Sequence, residues 1–396
     1  MQHFDYVIVG GGIIGLTLAK ELASTRPPAK IALFEKETST GFHASGRNSG
    51  VVHAGLYYPP GSLKALLCVE GARKLREYVQ ARNLPYAQVG KLLVASTDED
   101  LPRLDLIEQR SKANGVPVER LTQSQAREIE PAAKTHRTAL LSPLTAVIDN
   151  KSVLASLVEE LKGKITLRFG ASVERLEVEA GSFEAGGERF SYGHLINTAG
   201  AYADKLAHRF GIGEQYRLLP FRGAYVGMTA PWTEKIRHLI YPTPDLSLPF
   251  LGVHVTKSVH GKIWVGPTAV PALGREHYQG LRGIELEGAG FLGEISRMWL
   301  MNKNNMRRHV RSEVARLWPA NFLSELRGLL PGVSGSDLSA EVKSGIRAQL
   351  VDTKNHQLVM DFLVLPGKNS THVLNAVSPA YTASFAFANW LNKQIP

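Results

Sequence analysis

Apolar and polar positions change period several times along this chain, and each change marks an element. Tyr6 to Val9 form a short apolar run that reads as a buried parallel strand. The run breaks into Gly10, Gly12 and Gly15, after which Leu16, Leu18, Ala19 and Leu22 recur at helical spacing. A second apolar stretch, Ile31 to Phe34, is a strand that ends in Glu35. The stretch 37–50 is polar and glycine-rich, and Pro59 and Pro60 separate it from an amphipathic helix. That helix is traced by Leu63, Leu66, Leu67, Ala72, Leu75 and Tyr78. A strand is expected within 88–96, a helix over 99–113, and another helix capped by Asp149 or Asn150. An alternating strand and a hairpin follow, then the apolar strand at Leu195 and Ile196, which runs into Thr198, Ala199 and Gly200. Residues 217–270 are strand-rich and dotted with prolines, the pattern of an antiparallel sheet. Helices are expected over 285–330, then a hairpin, a strand at His372 to Leu374, a turn at Ser378-Pro379 and a last helix.

These periods predict an α/β plus α+β chain. A Rossmann-type dinucleotide-binding domain is interleaved with an antiparallel-sheet substrate domain. The first is expected to use 1–85, 145–215 and 340–396, and the second 86–144 and 216–339, with a helical insertion near 285–330. The pattern G-x-G-x-x-G between a strand and a helix explains the three glycines. The backbone must turn tightly, approach a pyrophosphate and let helix pack on strand. The first N–H groups of the helix then favour the phosphates. Glu35 lies about twenty residues beyond Gly15, placed to accept hydrogen bonds from a ribose, which favours FAD or NAD over NADP.

Composition narrows the class. With 396 residues, 44% hydrophobic and 21% charged, the chain is an ordinary globular protein of two or three domains. No apolar run reaches a membrane span, and the first strand begins too early for a secretory signal peptide, so a cytoplasmic protein is expected. Cys68 is the only cysteine, which excludes an intrachain disulfide and a cysteine-based metal site, and no metal is expected. The net charge of +10 suits an anionic substrate or an anionic membrane surface. No nucleic-acid-binding motif accompanies it, so nucleic acid is not an expected partner.

Several longer blocks carry a resemblance. The opening fingerprint, the Ala-Gly at Ala199 and Gly200, and the late G-x-R at Gly345 to Arg347 are similar to the FAD-dependent amino-acid-oxidase-like superfamily (DAO). The blocks GRNSGVVHAGLYYPPGSLKALLCVEGA, KLLVA, PFRGAY, IYPTPD, PFLGVH, WVGPTAV and SGIRAQ more specifically resemble the L-2-hydroxyglutarate dehydrogenase/oxidase family. The resemblance implies FAD-dependent oxidation of L-2-hydroxyglutarate to 2-oxoglutarate, with a quinone or oxygen as electron acceptor. It implies a flavin site made by Gly10, Gly12, Gly15 and Glu35, with Ser45, Arg47, Asn48 and Ser49 along the pyrophosphate and isoalloxazine. Val173 is implied at the adenine, and Ala199, Gly200 and Gly345 close to the cofactor. Ser378, Ala380 and Thr382 are implied at a helix start near the flavin's pyrimidine ring, where negative charge is stabilised. Two positions depart from the family pattern: Ala224 stands where an acid is usual and Tyr381 where a small residue is usual.

Oxidation of a 2-hydroxy acid by hydride transfer needs a base, a cation for the carboxylate, and a C–H bond facing the flavin. Histidine suits the base, and His53, directly after the flavin-wrapping segment, ranks just ahead of His254. Arg347 is the expected carboxylate ligand, because its fork of N–H donors matches a carboxylate. A five-carbon diacid needs a second set of donors, for which Arg222, Lys91, Tyr241 and Tyr57 are candidates. Met298, Trp299, Met301, Met306, Trp318 and Phe322 sit among Lys303, Arg307, Arg308, Arg311 and Arg316, a composition that fits a membrane-surface helix on the inner face of a cytoplasmic membrane. Three other readings compete. The first is an oxidase of the same superfamily acting on an amino acid or secondary amine. The second is a non-enzymatic FAD-binding or basic nucleic-acid-associated protein, and the third an NAD dehydrogenase, which long antiparallel insertions disfavour.

Overall fold

The computed structural model describes residues 1–246 and 251–396. Pro249 and Phe250 of the block PFLGVH therefore lie outside the described residues. Five parallel strands form the heart of an eight-stranded sheet, in the order Ser370–Asn375, Glu188–Asn197, Gln2–Val9, Ile31–Phe34, Thr166–Arg168. A hairpin, Val173–Glu177 with Ser182–Ala185, is added antiparallel to the start of Glu188–Asn197. The central strand Gln2–Val9 has neighbours on both edges and is buried from Val7 to Val9, as a continuous apolar run requires.

One face of this sheet is covered by the helices Ile13–Thr25, Leu63–Ala81, Asn150–Leu161 and Ala380–Asn392, which share a single apolar core. The other face is closed by an aromatic cluster. Phe34 meets Phe183 and Phe190 edge-on, each at 5.0 Å between ring centres. Leu16, Leu18, Ala19 and Leu22 are all fully buried, and each leucine contributes roughly 1.5–3 kcal/mol by leaving water. The caps are those the sequence offers. Ser62 Oγ accepts the Ala65 N–H at 3.2 Å, and Asp149 Oδ1 accepts the N–H groups of Lys151 and Ser152. The helix expected over 99–113 starts at Leu101, because a capping box between Thr97 and Asp100 turns the chain first and Pro102 takes the opening turn.

The second sheet has ten strands and is dominated by the long pair Tyr216–Met228 and Leu338–Asp352, antiparallel along nearly their whole length. The strand Leu338–Asp352 thus lies in this sheet, although most of it falls in the 340–396 segment assigned from sequence to the nucleotide domain. One pairing is parallel: Leu239–Pro242 runs alongside Lys91–Val94. A small third sheet, Val51–Val52, Ala146–Ile148 and Tyr86–Ala87, stitches the two units together. Three helices, Gly288–Leu300, Met306–Arg316 and Pro319–Leu329, occupy the expected insertion. Met298, Met306 and Phe322 turn inward and are buried, which corrects their reading as membrane-facing residues: helical spacing alone does not say which face meets the core. Among the described residues no helix is long and apolar enough to cross a membrane.

Candidate active site

Between the two sheets runs a cavity of about 710 Å³, reaching from the first strand–helix turn to the inner strands of the second sheet. The turn is built by the glycines. Gly10 has φ of +110°, and a Cβ there would stand 2.4 Å from Thr198 O. A Cβ on Gly15 would stand 2.0 Å from Gly10 O, so this glycine serves helix–strand contact and does not line the cavity. Glu35 leaves its strand into the cavity, held by the N–H groups of Gly11 at 2.7 Å and Glu37 at 2.9 Å. Each carboxylate oxygen keeps capacity for another donor, as recognition of ribose hydroxyls requires.

The segment after Glu35 wraps the middle of the cavity. Ser45 Oγ accepts the Ile13 N–H at 2.9 Å and so anchors the segment to the first helix. Asn48 is spent on the segment's own shape: it donates to Ala44 O and Ser45 O and accepts from Gly50 N–H and Asn150 Nδ2. Arg47 donates to Phe42 O at 2.6 Å and lies over the Tyr278 ring at 4.2 Å. Ser49, Val173, Ala199, Gly200, Gly345, Ser378 and Ala380 line the same cavity. Thr382 lines it too, but its hydroxyl accepts the His53 N–H at 3.1 Å and donates to Val51 O at 3.4 Å, a brace for the end of the strand Val51–Val52 and the His53 that follows it. These residues fit FAD. The turn leaves no room for a Cβ, two helix starts (Ile13–Thr25 and Ala380–Asn392) face the cavity, and an acid stands at the ribose end.

The inner end is formed by the second sheet. Arg347 lies on Leu338–Asp352, directly opposite Phe221, and it and Ser49 act on the buried Tyr225 hydroxyl, opposing the upward push of burial on its pKa. His254 Nδ1 donates to Gly252 O at 2.9 Å, which leaves Nε2 as an acceptor. Its ring stacks on Tyr241 at 3.9 Å and meets Tyr225 edge-on at 6.0 Å. His53 borders the cavity, and its Nδ1 is buried without a hydrogen-bond partner. Burial pushes His53 down to about 3, with Lys91, His254 and Arg347 acting in the same direction. His254 is also pushed to about 3, by burial first and then by Arg347 and Lys91. Both imidazoles are therefore neutral at physiological pH.

Charge is divided along the cavity. The carboxylates among its described lining residues are Glu35, Glu37 and Glu276, all at the ribose end, where Lys36 pairs with two of them, while Arg347 and the two neutral histidines lie at the inner end. Glu37, His43 and Glu276 converge closely enough to suggest a cation, but Lys36 already bridges the two carboxylates at 2.6 and 2.5 Å. Of the four residues expected to hold a second carboxylate, Tyr241 lines the cavity, Lys91 and Tyr57 lie just behind the wall, and Arg222 projects outside it. Tyr225 and Lys64 were not foreseen. Tyr225 was legible as the second neighbour of Gly223 on a strand opposite Arg347, since alternate residues share a face. Lys64 carried no signal beyond its place in a helix, and burial pulls it down to about 8 against the pull of Asp361.

A family model described as FAD dependent oxidoreductase, DAO, matches residues 5–394. The mitochondrial L-2-hydroxyglutarate dehydrogenase of Caenorhabditis briggsae is 36% identical, with 100% of this chain and 93% of that protein covered. The L-2-hydroxyglutarate dehydrogenase of Escherichia coli K12 is 34% identical, with 96% and 90% covered. Among solved structures, the FAD-bound L-alpha-glycerophosphate oxidase of Mycoplasma pneumoniae superposes with a TM-score of 0.77 at 22% identity, covering 98% of this chain and 94% of that one. That likeness shows the fold.

Proposed function

The chain belongs to the FAD-dependent oxidoreductase family DAO and its cofactor is FAD, and from this premise we propose that it oxidises L-2-hydroxyglutarate to 2-oxoglutarate. The observation that carries this reading is the meeting of Arg347, His53 and His254 at an end of the cavity that is carboxylate-free among the described residues, while the other end fits a dinucleotide. When bound, FAD supplies the two-electron oxidation chemistry. The chain's own residues bind, orient and move one proton.

Arg347 takes the carboxylate next to the reacting carbon, with the Tyr225 hydroxyl close by at the same end of the cavity. The hydroxyl proton passes to the histidine pair, where His254 Nε2 is an acceptor of defined orientation because Nδ1 is committed to Gly252 O. On their own both histidines are poor bases, since burial and the nearby cations oppose protonation. A carboxylate arriving on Arg347 offsets that positive charge and raises their proton affinity, so the substrate itself prepares the base. Burial of the His254 ring keeps competing water away from its Nε2.

The test is anaerobic addition of L-2-hydroxyglutarate to the FAD-loaded protein while following flavin absorbance. Bleaching supports the reading. No bleaching by this acid, with bleaching by a secondary amine, would replace it with an amine oxidase.

For the electron acceptor we favour a membrane quinone over oxygen. The insertion helices expose Trp299, Leu300, Met301, Leu317 and Trp318 beside Arg297, Arg307 and Arg311, and the nearby Leu286 is fully exposed. Apolar and cationic side chains on one surface suit an anionic headgroup layer. Arg316 takes no part, because it is paired with Glu313 and Glu325. Co-sedimentation with anionic vesicles at low salt supports the reading, and its absence refutes it.

A further inference from the structure

The strand Lys91–Val94 sends a lysine into the space behind the inner wall of the cavity. Lys91 is 0% exposed and its Nζ has no hydrogen-bond partner among the described residues. It lies 4.5 Å from the centre of the Tyr57 ring and 5.2 Å from that of Tyr241, which itself lines the cavity. The Tyr57 hydroxyl and His53 Nδ1 are likewise buried and unpartnered. An isolated buried ammonium is strongly disfavoured, and two aromatic faces offset only part of that cost. Burial accordingly pulls Lys91 down to about 7. A buried ammonium with an unpartnered hydroxyl and imidazole nitrogen near it, beside a cavity whose described carboxylates all lie at the far end, is complementary to an anion.

We propose that Lys91 and the Tyr57 hydroxyl take the second carboxylate of the substrate, at the edge of the Tyr241 ring, and so make the site selective for a diacid. This rests on the 2-hydroxy acid reading above, and it assigns the two ends of the molecule. Arg347 holds the carboxylate beside the reacting carbon, and Lys91 measures the distance to the other one. Arg222, on the outward side of its strand, has no part in it.

Binding is read from the flavin absorbance change of the FAD-loaded protein, without turnover. The probes are glutarate and 2-oxoglutarate against butyrate and 2-oxobutyrate, which lack the second carboxylate. Wild type is expected to prefer the diacids by about ten- to a hundredfold, the value of one charge-assisted hydrogen bond or more. Lys91→Met abolishes that preference and leaves monoacid binding unchanged. Tyr57→Phe deletes only an unpartnered hydroxyl, so it leaves the fold intact, and it weakens diacid binding about three- to tenfold. A Lys91→Met protein that still prefers diacids overturns the assignment. So does a wild type without the preference, a Lys91→Met protein weakened equally toward both classes, or a Tyr57→Phe protein that binds diacids like wild type. The substrate reading is judged separately: it fails if L-2-hydroxyglutarate does not bleach the wild-type flavin, whatever Lys91→Met shows.

Discussion

Gly345→Ala tests how the second sheet presses the wrapping segment onto the cofactor. A Cβ at this position would lie 2.5 Å from Arg47 O and 3.4 Å from Arg47 Cβ. A carbon–oxygen contact needs roughly 3.3 Å, so one segment must retreat by roughly 0.8 Å. The strand cannot yield easily, because Leu338–Asp352 is paired along Tyr216–Met228. The wrapping segment is the softer partner, tied to neighbouring elements by side-chain bonds such as Ser45 to Ile13 and Asn48 to Asn150. In the apoprotein it can move away, whereas bound FAD requires it in place, so the strain of about 1–3 kcal/mol falls on cofactor affinity. FAD dissociation should weaken about 5- to 150-fold, measured by quenching of flavin fluorescence on titration into apoprotein. Gly293→Ala is the control. Nothing lies within 4 Å of its Cβ in the helix Gly288–Leu300, so it should leave FAD affinity alone and stabilise by about 0.4–1 kcal/mol. FAD affinity within twofold of wild type for Gly345→Ala would refute the reasoning, since the contact would then bear no load in the bound state.

Arg347→Lys keeps the charge but loses the fork, and should raise the apparent Michaelis constant about tenfold or more, with Arg347→Ala worse; a wild-type constant for both would remove Arg347 from the site. Glu35→Gln should weaken FAD about tenfold while leaving FMN, which has no adenosine, unaffected; equal losses for the two flavins would show that Glu35 acts only on the turn. Acid should destabilise the protein through His194, His254 and His372, which are buried and held at about 4, 3 and 4. Between those values and the ordinary 6.5 the unfolded chain binds protons that the folded chain refuses. Stability is therefore full above 6.5 and falls as pH drops, by about 2 kcal/mol per histidine at pH 5. Urea midpoints at pH 7.5 and pH 5 check this, and equal midpoints would contradict the burial argument.

How far each residue could be read from the chain depended on the range of the interaction. The dinucleotide turn is local: strand, glycines and helix are contiguous, and Gly10, Gly12, Gly15 and Glu35 took their places from spacing alone. Ser45 and Asn48 were legible as members of a polar segment too hydrophilic to form core, but not their roles as anchor and brace, which depend on Ile13 and Asn150 far away in sequence. Thr382 was expected at the flavin and is engaged with the backbone of Val51 and His53.

Periodicity in this chain determines the strand–turn–helix that holds the nucleotide, the interleaving of a parallel with an antiparallel unit, and the helix caps, because each depends on neighbours within a few residues. Tertiary structure alone decided the inward turn of Met298, Met306 and Phe322, and the exclusion of Arg222 from the cavity. It also brought Arg347, Tyr225, His254 and His53 together from four separate segments, and left Lys91 buried with no hydrogen-bond partner among the described residues. The physical reason is that burial and unpaired charge are properties of the surroundings a side chain acquires when distant strands close over it, and no local pattern records them.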